Sequence, residues 1–149
     1  MKQQTATVAD ILKLKGSAVD TIRPKETVET LSRRLKQRQI GAMAVSDDGE
    51  TLFGIVSERD VAYGVAVHRG ELHKLSVSDL MTSKVITCSP EDTLATAAKM
   101  MSALRIRHLP VTDGNKLVGV IAMRDIMMHR LEAIQRTSRL VGNLVVSEQ

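Results

Sequence analysis

Gly54-Ile55-Val56-Ser57-Glu58-Arg59-Asp60 returns further along the chain as Gly119-Val120-Ile121-Ala122-Met123-Arg124-Asp125, with the two aspartates 65 residues apart. Working outward, Pro24 and Thr27 return as Pro90 and Thr93, 66 residues on. Val8-Ala9-Asp10-Ile11-Leu12 returns as Val77-Ser78-Asp79-Leu80-Met81, 69 residues on. A spacing that drifts so little marks one fold unit present twice, with small loop insertions. Such a unit tends to pack on its own copy about a pseudo-two-fold axis, and clefts open between the copies.

Each copy reads in the same order. A short leading segment (8–14, 77–81) precedes a brief apolar strand (18–22, 85–88) and a turn carrying Pro24 or Pro90. Thr27 and Thr93 then cap a helix, because a threonine oxygen accepts an orphan first-turn N–H. Val28, Leu31 and Leu35 share one face of the first such helix, and Leu94, Ala97, Ala98, Met101 and Leu104 one face of the second. Two strands follow (42–45 with 52–56, 108–111 with 117–121), joined by the turn chemistry of Ser46-Asp47-Asp48-Gly49 and Thr112-Asp113-Gly114-Asn115. A second helix closes each copy, near 57–67 and 123–135. The expected class is α/β (α+β), a tandem of β-α-β-β-α units. The first copy spans 8–68, a linker 69–76, the second copy 77–135 and a tail 136–149. The tail extends the last helix or adds a strand at Leu144-Val145-Val146; the pattern leaves both open.

The 149 residues suffice for one domain or two very small ones, so the copies are expected to share a core. Only Tyr63 and Phe53 are aromatic and eight residues are methionine, so that core is aliphatic with adaptable filler. The scarcity of aromatic rings argues against a base-stacking platform. A net charge of +4 is a mild bias toward anionic ligands. The densest basic run, Arg33-Arg34-Leu35-Lys36-Gln37-Arg38, flanks an apolar helix stripe and reads first as a solvated face. One cysteine, Cys88, fits a reducing compartment. No apolar run reaches membrane-spanning length, and the N-terminus lacks the apolar segment of a signal peptide. A cytoplasmic location and no membrane partner are therefore expected. No His/Cys/Asp/Glu grouping has metal-ligand spacing, and Cys88 reads as a packed side chain rather than a nucleophile.

Ser57 to Asp60 falls where a strand feeds a helix. That junction presents free N–H groups and the positive end of the helix dipole, which attract anions. Asp60, one turn in, suits a vicinal diol, as acidic residues do for ribose in dinucleotide folds. The competing reading is that Ser57 and Asp60 only cap the helix.

The Gly-x-x-(Ser/Thr)-x-x-Asp pattern at Gly54–Asp60 and its second copy at Gly119–Asp125, with Ile106-Arg107-His108-Leu109-Pro110-Val111, the Asp113-Gly114 turn and Asp79-Leu80-Met81-Thr82, together resemble the CBS domain, named for cystathionine β-synthase. Two such domains form a Bateman module, and the resemblance runs from about 8 to 134. It implies two composite clefts that bind AMP, ADP or ATP, or in some members NAD(H) or S-adenosylmethionine. By that resemblance the first cleft sets Asp60 on the ribose, Ser57 near ribose or phosphate, Val85 and Ile86 against the adenine, Pro110 as a wall, and Arg107, His108 and Arg124 toward the phosphate. Arg107 is the strongest anchor on physical grounds, since a guanidinium grips phosphate oxygens bidentately. The second cleft uses Asp125 for the ribose, Val19 and Asp20 for the base and Arg59 for the phosphate. It departs from the pattern at Ala122, which lacks a hydroxyl, and at Gly41 and Ala42, which stand where the other cleft has Arg107 and His108. It is expected to bind more weakly, to stay empty or to suit a less charged group.

The resemblance also implies a homodimer formed through helices such as the one bearing Met123, Met127, Met128 and Leu131. The expected function is a regulatory, energy-sensing module without catalysis or obligatory cofactor, read by a separate and unknown effector protein. Two alternatives come from other classes: nucleic-acid binding through the basic 33–38 helix, and a nucleotide-processing enzyme. The first lacks a groove-reading motif, the second a placed base, metal cluster or nucleophile.

Overall fold

The computed structural model describes residues 4–147 apart from residue 17; the last two residues of the expected tail lie outside it. Among the described residues six α-helices and five strands follow in order: α1 (Val8–Lys15), β1 (Thr21–Ile22), α2 (Val28–Arg38), β2 (Ala42–Val45), β3 (Gly54–Ser57), α3 (Glu58–His68), α4 (Val77–Leu80), α5 (Leu94–Leu104), β4 (His108–Asp113), β5 (Lys116–Ala122) and α6 (Met123–Ser147). β1 pairs parallel with β2, and β2 antiparallel with β3. β4 and β5 form the corresponding antiparallel pair.

Local chemistry repeats with the sequence. The Thr27 and Thr93 hydroxyls accept the N–H groups of Thr30 and Thr96, both at 3.1 Å, as N-caps of α2 and α5. Gln39 and Arg105 end those helices in the left-handed conformation, at φ 54° and 55°. The hairpin between β4 and β5 turns through Gly114-Asn115, where φ +63° at Gly114 suits glycine.

The leading helices are exchanged between the copies. Val8 and Ile11 of α1 sit in a core with Cys88, Leu94, Met101, Leu109, Val111 and Ile121 of the second copy. Val77 of α4 sits in the other core, with Ile22, Leu31, Met43, Val45 and Val56. The reason is visible in the hydrogen bonds. The first N–H groups of a helix have no partner within it. In α1, Val8 and Ala9 donate to Asp92 O and Pro90 O (both 2.9 Å); in α4, Val77 and Ser78 donate to Glu26 O (2.8 Å) and Pro24 O (3.0 Å). Each proline turn thus holds the other copy's leading helix.

Two expectations are corrected. The strand at 85–88 shrinks to a parallel bridge between Cys88 and Val111, because only Cys88 reaches β4 for ladder bonds. The strand at 18–22 shrinks to two residues, since 18–20 border a cleft instead of a neighbouring strand. Of the two alternatives left open for the tail, the described residues take the extension of the final helix. It continues unbroken to Ser147, no proline interrupts it, and the alternative strand at 144–146 is absent. The linker carries a 3-10 turn, Arg69–Lys74, anchored by buried Leu72.

Candidate functional site

A cleft of about 830 Å³ opens between the copies. Volumes of roughly 300–1,000 Å³ are those of small-molecule sites. Ala18, Val19 and Asp20 border it from the segment before β1, Gly41 and Ala42 from the start of β2, and Ala122, Arg124 and Asp125 from the junction of β5 and α6. The walls are therefore composite. Five of the six residues expected in the second cleft line it: Val19, Asp20, Gly41, Ala42 and Asp125. Arg59 does not; its guanidinium donates to Arg105 O at 3.2 Å and borders an adjoining groove of about 440 Å³ with Tyr63 and Arg107.

The residues expected in the first cleft separate. Arg107, His108 and Arg124 line the same large cleft as Asp125. Ser57, Asp60, Val85, Ile86 and Pro110 line neither this cleft nor the adjoining groove. Pro110 is buried in β4, and Ile86 is exposed. Asp60 serves as a cap: its Oδ2 accepts the Ser57 N–H (2.7 Å) and hydroxyl (3.0 Å), while the Ser57 hydroxyl oxygen accepts the Asp60 N–H (3.3 Å).

Asp125 is held differently. Its Oδ2 accepts the Ala122 N–H at 2.8 Å, as Asp60 does from Ser57, but Ala122 offers no hydroxyl. The ammonium of Lys15, at the end of α1, takes that place at 2.9 Å and also donates to Val120 O at 3.0 Å. The Lys15 and Asp125 side chains remain 41% and 27% exposed, so both face the cleft's solvent. Lys36 adds another cation to the lining, and Glu58 another carboxylate. Asp20 lies 3.5 Å from Arg38.

His108 marks the seam where the copies meet. A Cβ at position 41 would lie 3.0 Å from two of its ring atoms, so Gly41 is the small residue that admits the imidazole. The inequality of Gly41-Ala42 and Arg107-His108 is thus complementary packing across the pseudo-axis. Burial holds the His108 imidazole below its ordinary range, with Lys15 and Arg107 adding to the effect and Glu58 and Asp125 opposing it. His108 is therefore neutral at pH 7 and is not one of the cleft's cations.

Lys15, Lys36 and Glu58 were not among the expected site residues. Lys15 enters only because α1 crosses to the other copy, which spacing along the chain does not report. Among the described residues, no group of three or more His, Cys, Asp or Glu side chains is arranged to hold a metal ion, and no helix is long and apolar enough to cross a membrane. Three cations of the 33–38 run lie near carboxylates: Arg33 with Glu29 (2.8 Å), Arg34 with Glu26 (3.7 Å) and Arg38 with Asp20 (3.5 Å).

Comparison with known proteins agrees with this architecture. The family model of the CBS domain matches residues 8–66 and again 77–132. The CBS domain-containing protein YhcV of Bacillus subtilis is 30% identical over 113 residues, covering 76% of this chain and 79% of its own. The crystal structure of the CBS-domain containing protein ATU1752 from Agrobacterium tumefaciens superposes with a TM-score of 0.81 at 31% identity, over 87% of this chain and 97% of that one. The CBS domain pair of protein MJ0100, solved with 5′-methylthioadenosine and S-adenosyl-L-methionine, gives a TM-score of 0.73 at 25% identity, over 94% and 98% of the two chains.

Proposed function

The chain belongs to the CBS-domain family, as a tandem pair, and from that premise we propose that it is a non-catalytic regulatory module that senses an adenine nucleotide, AMP, ADP or ATP. The ligand binds in the cleft beside Asp125. This reverses the order expected from sequence, in which the Asp60 cleft was the tighter. The single observation carrying the choice is the meeting of Asp125, Val19 and Asp20 with Arg107 and Arg124 around one cavity of about 830 Å³. The Asp125 carboxylate takes the ribose diol, the segment at Val19 and Asp20 faces the base, and Arg107 and Arg124 take the phosphate. The adenosine-derived ligands of the MJ0100 pair support the ligand class.

Signalling follows from the composite walls. A ligand that touches both copies stabilises one relative arrangement of them, and the shift it causes is limited by its difference in affinity between arrangements. A separate effector protein reads that difference. Exposed apolar side chains on α3 and α6, including Tyr63, Val67, Met127, Leu131 and Ile134, support a homodimer in which a second copy covers them.

Isothermal titration with AMP, ATP, NADH and S-adenosylmethionine tests the reading. At least one adenine nucleotide binds the wild-type protein and is left unchanged by it. Asp125→Ala weakens that binding by roughly 1.5–3 kcal/mol, the worth of hydrogen bonds to a charged group. Asp60→Ala leaves affinity nearly intact. Equal, negligible effects from both substitutions would refute the assignment.

A further inference from the structure

Asp125 is the carboxylate to which the proposed function assigns the ribose, and Lys15 already occupies it. The two repeats solve one local problem in two ways. In the first, the Ser57 N–H and hydroxyl both satisfy the Asp60 oxygen. In the second, alanine at 122 removes the hydroxyl, and the ammonium of Lys15 arrives from the exchanged α1. An ammonium differs from a hydroxyl in carrying charge and in sitting on a flexible stem. Its other bond in this structure is to Val120 O.

We propose that Lys15 sets the ligand specificity of this cleft, selecting adenosine ligands that carry a 5′-phosphate over nucleosides and sulfonium ligands. The inference rests on the functional reading above. A ribose diol that takes Asp125 competes with the ammonium for the carboxylate. A ligand with a phosphate gives Lys15 a new anionic partner, in a lining that also holds Arg107, Arg124 and Lys36. A neutral nucleoside gives it none, so the loss of the Lys15–Asp125 pair is not offset. A sulfonium adds a further cation to that lining. The carboxylates Asp20 and Glu58 also border the cleft, but Asp20 is already near Arg38. Lys15 is thus an internal competitor for nucleosides and a direct contact for nucleotides.

The test is titration of AMP and of adenosine into full-length wild-type protein, Lys15→Met and Lys15→Gln, with Lys13→Met as the control on the same helix. For AMP, loss of the phosphate contact and relief of the competition for Asp125 oppose each other, so its affinity should change little or fall. Adenosine should bind severalfold more tightly to both Lys15 variants, since its competitor is gone. The ratio of the two affinities then collapses, while Lys13→Met retains the wild-type ratio. Thermal melts without ligand establish that the variants fold. If both ligands shift equally in the Lys15 variants, or neither shifts, Lys15 is structural and the inference fails while the binding reading stands. If wild type and variants bind neither ligand, the binding reading falls and takes this inference with it.

Discussion

At the scale of single residues, the same side-chain types do different work in the two copies. Asp60 and Asp125 are equivalent in sequence, yet one closes a capping box and the other ends an ion pair from the opposite repeat. Asp48 has no counterpart in the second copy's tighter turn. It accepts from the Thr51 N–H (2.7 Å), the Glu50 N–H (2.8 Å) and two hydroxyls, and those donors hold its carboxyl well below the usual carboxylate range. Cys88 is the residue with the clearest titration consequence. Burial, reinforced by Asp92, pushes its thiol from 9.0 up to about 11. The folded state therefore keeps a proton that the unfolded chain releases near pH 9. The contribution to stability is complete below that pH and is lost as pH rises from 9 toward 11. Two pKa units correspond to on the order of 2–3 kcal/mol. Urea denaturation at pH 8 and pH 10.5 should show a larger loss for wild type than for Cys88→Ala, and thiol reagents at pH 8 should leave the folded protein unlabelled. An equal pH effect on both proteins would contradict the burial argument.

At the scale of elements, the repeated glycines mark where an exchanged helix comes against a strand. Gly54 in β3 lies under Met81 and Thr82, which follow α4; Gly119 in β5 lies under Leu12 of α1. Added methyl groups would meet different obstacles. At 54 the nearest atom, at 2.7 Å, is the Thr82 carbonyl oxygen, already fixed by accepting the Ile55 N–H at 3.0 Å. At 119 it is the Leu12 Cδ2, at 2.5 Å, a side-chain end that can rotate away. Gly54→Ala should therefore destabilise by about 1–3 kcal/mol, the usual range for overpacking, and Gly119→Ala by less. Chemical denaturation of the two variants checks the order, and the reverse order would show that the backbone at Thr82 yields more readily than Leu12.

At the scale of the whole molecule, exchange of α1 and α4 makes each core depend on both copies, and the same crossing builds the cleft. α6 is the other large-scale feature. Its 25 residues extend about 37 Å at helical rise, and Met127, Leu131 and Ile134, spaced by four and then three residues, share an exposed face that Val141 continues seven residues on. The homodimer proposed above would cover that face. Leu131→Asp combined with Ile134→Asp should give a monomer by light scattering that keeps the wild-type far-UV circular dichroism, because both side chains are exposed in the single chain. A wild-type protein that is itself monomeric at micromolar concentration would remove the dimer from the functional reading.

Much of this protein was legible along the chain. The duplication, the threonine caps and the hairpins rest on local chemistry or on repeat spacing, which a linear reading contains, whereas the grouping of Asp125, Val19, Asp20, Gly41 and Ala42 in one cleft came from the resemblance to the CBS domain. What it did not contain was which copy each leading helix joins. That choice is made by unpaired helix N–H groups finding the carbonyls of a distant proline turn, a contact spanning more than eighty residues in the case of α1. The same crossing carries Lys15 to Asp125, while Arg107, His108 and Arg124 line the cleft that holds Asp125. Pattern determined the parts and their order. Packing decided which parts became neighbours, because burial and hydrogen-bond satisfaction act through space and are indifferent to distance along the sequence.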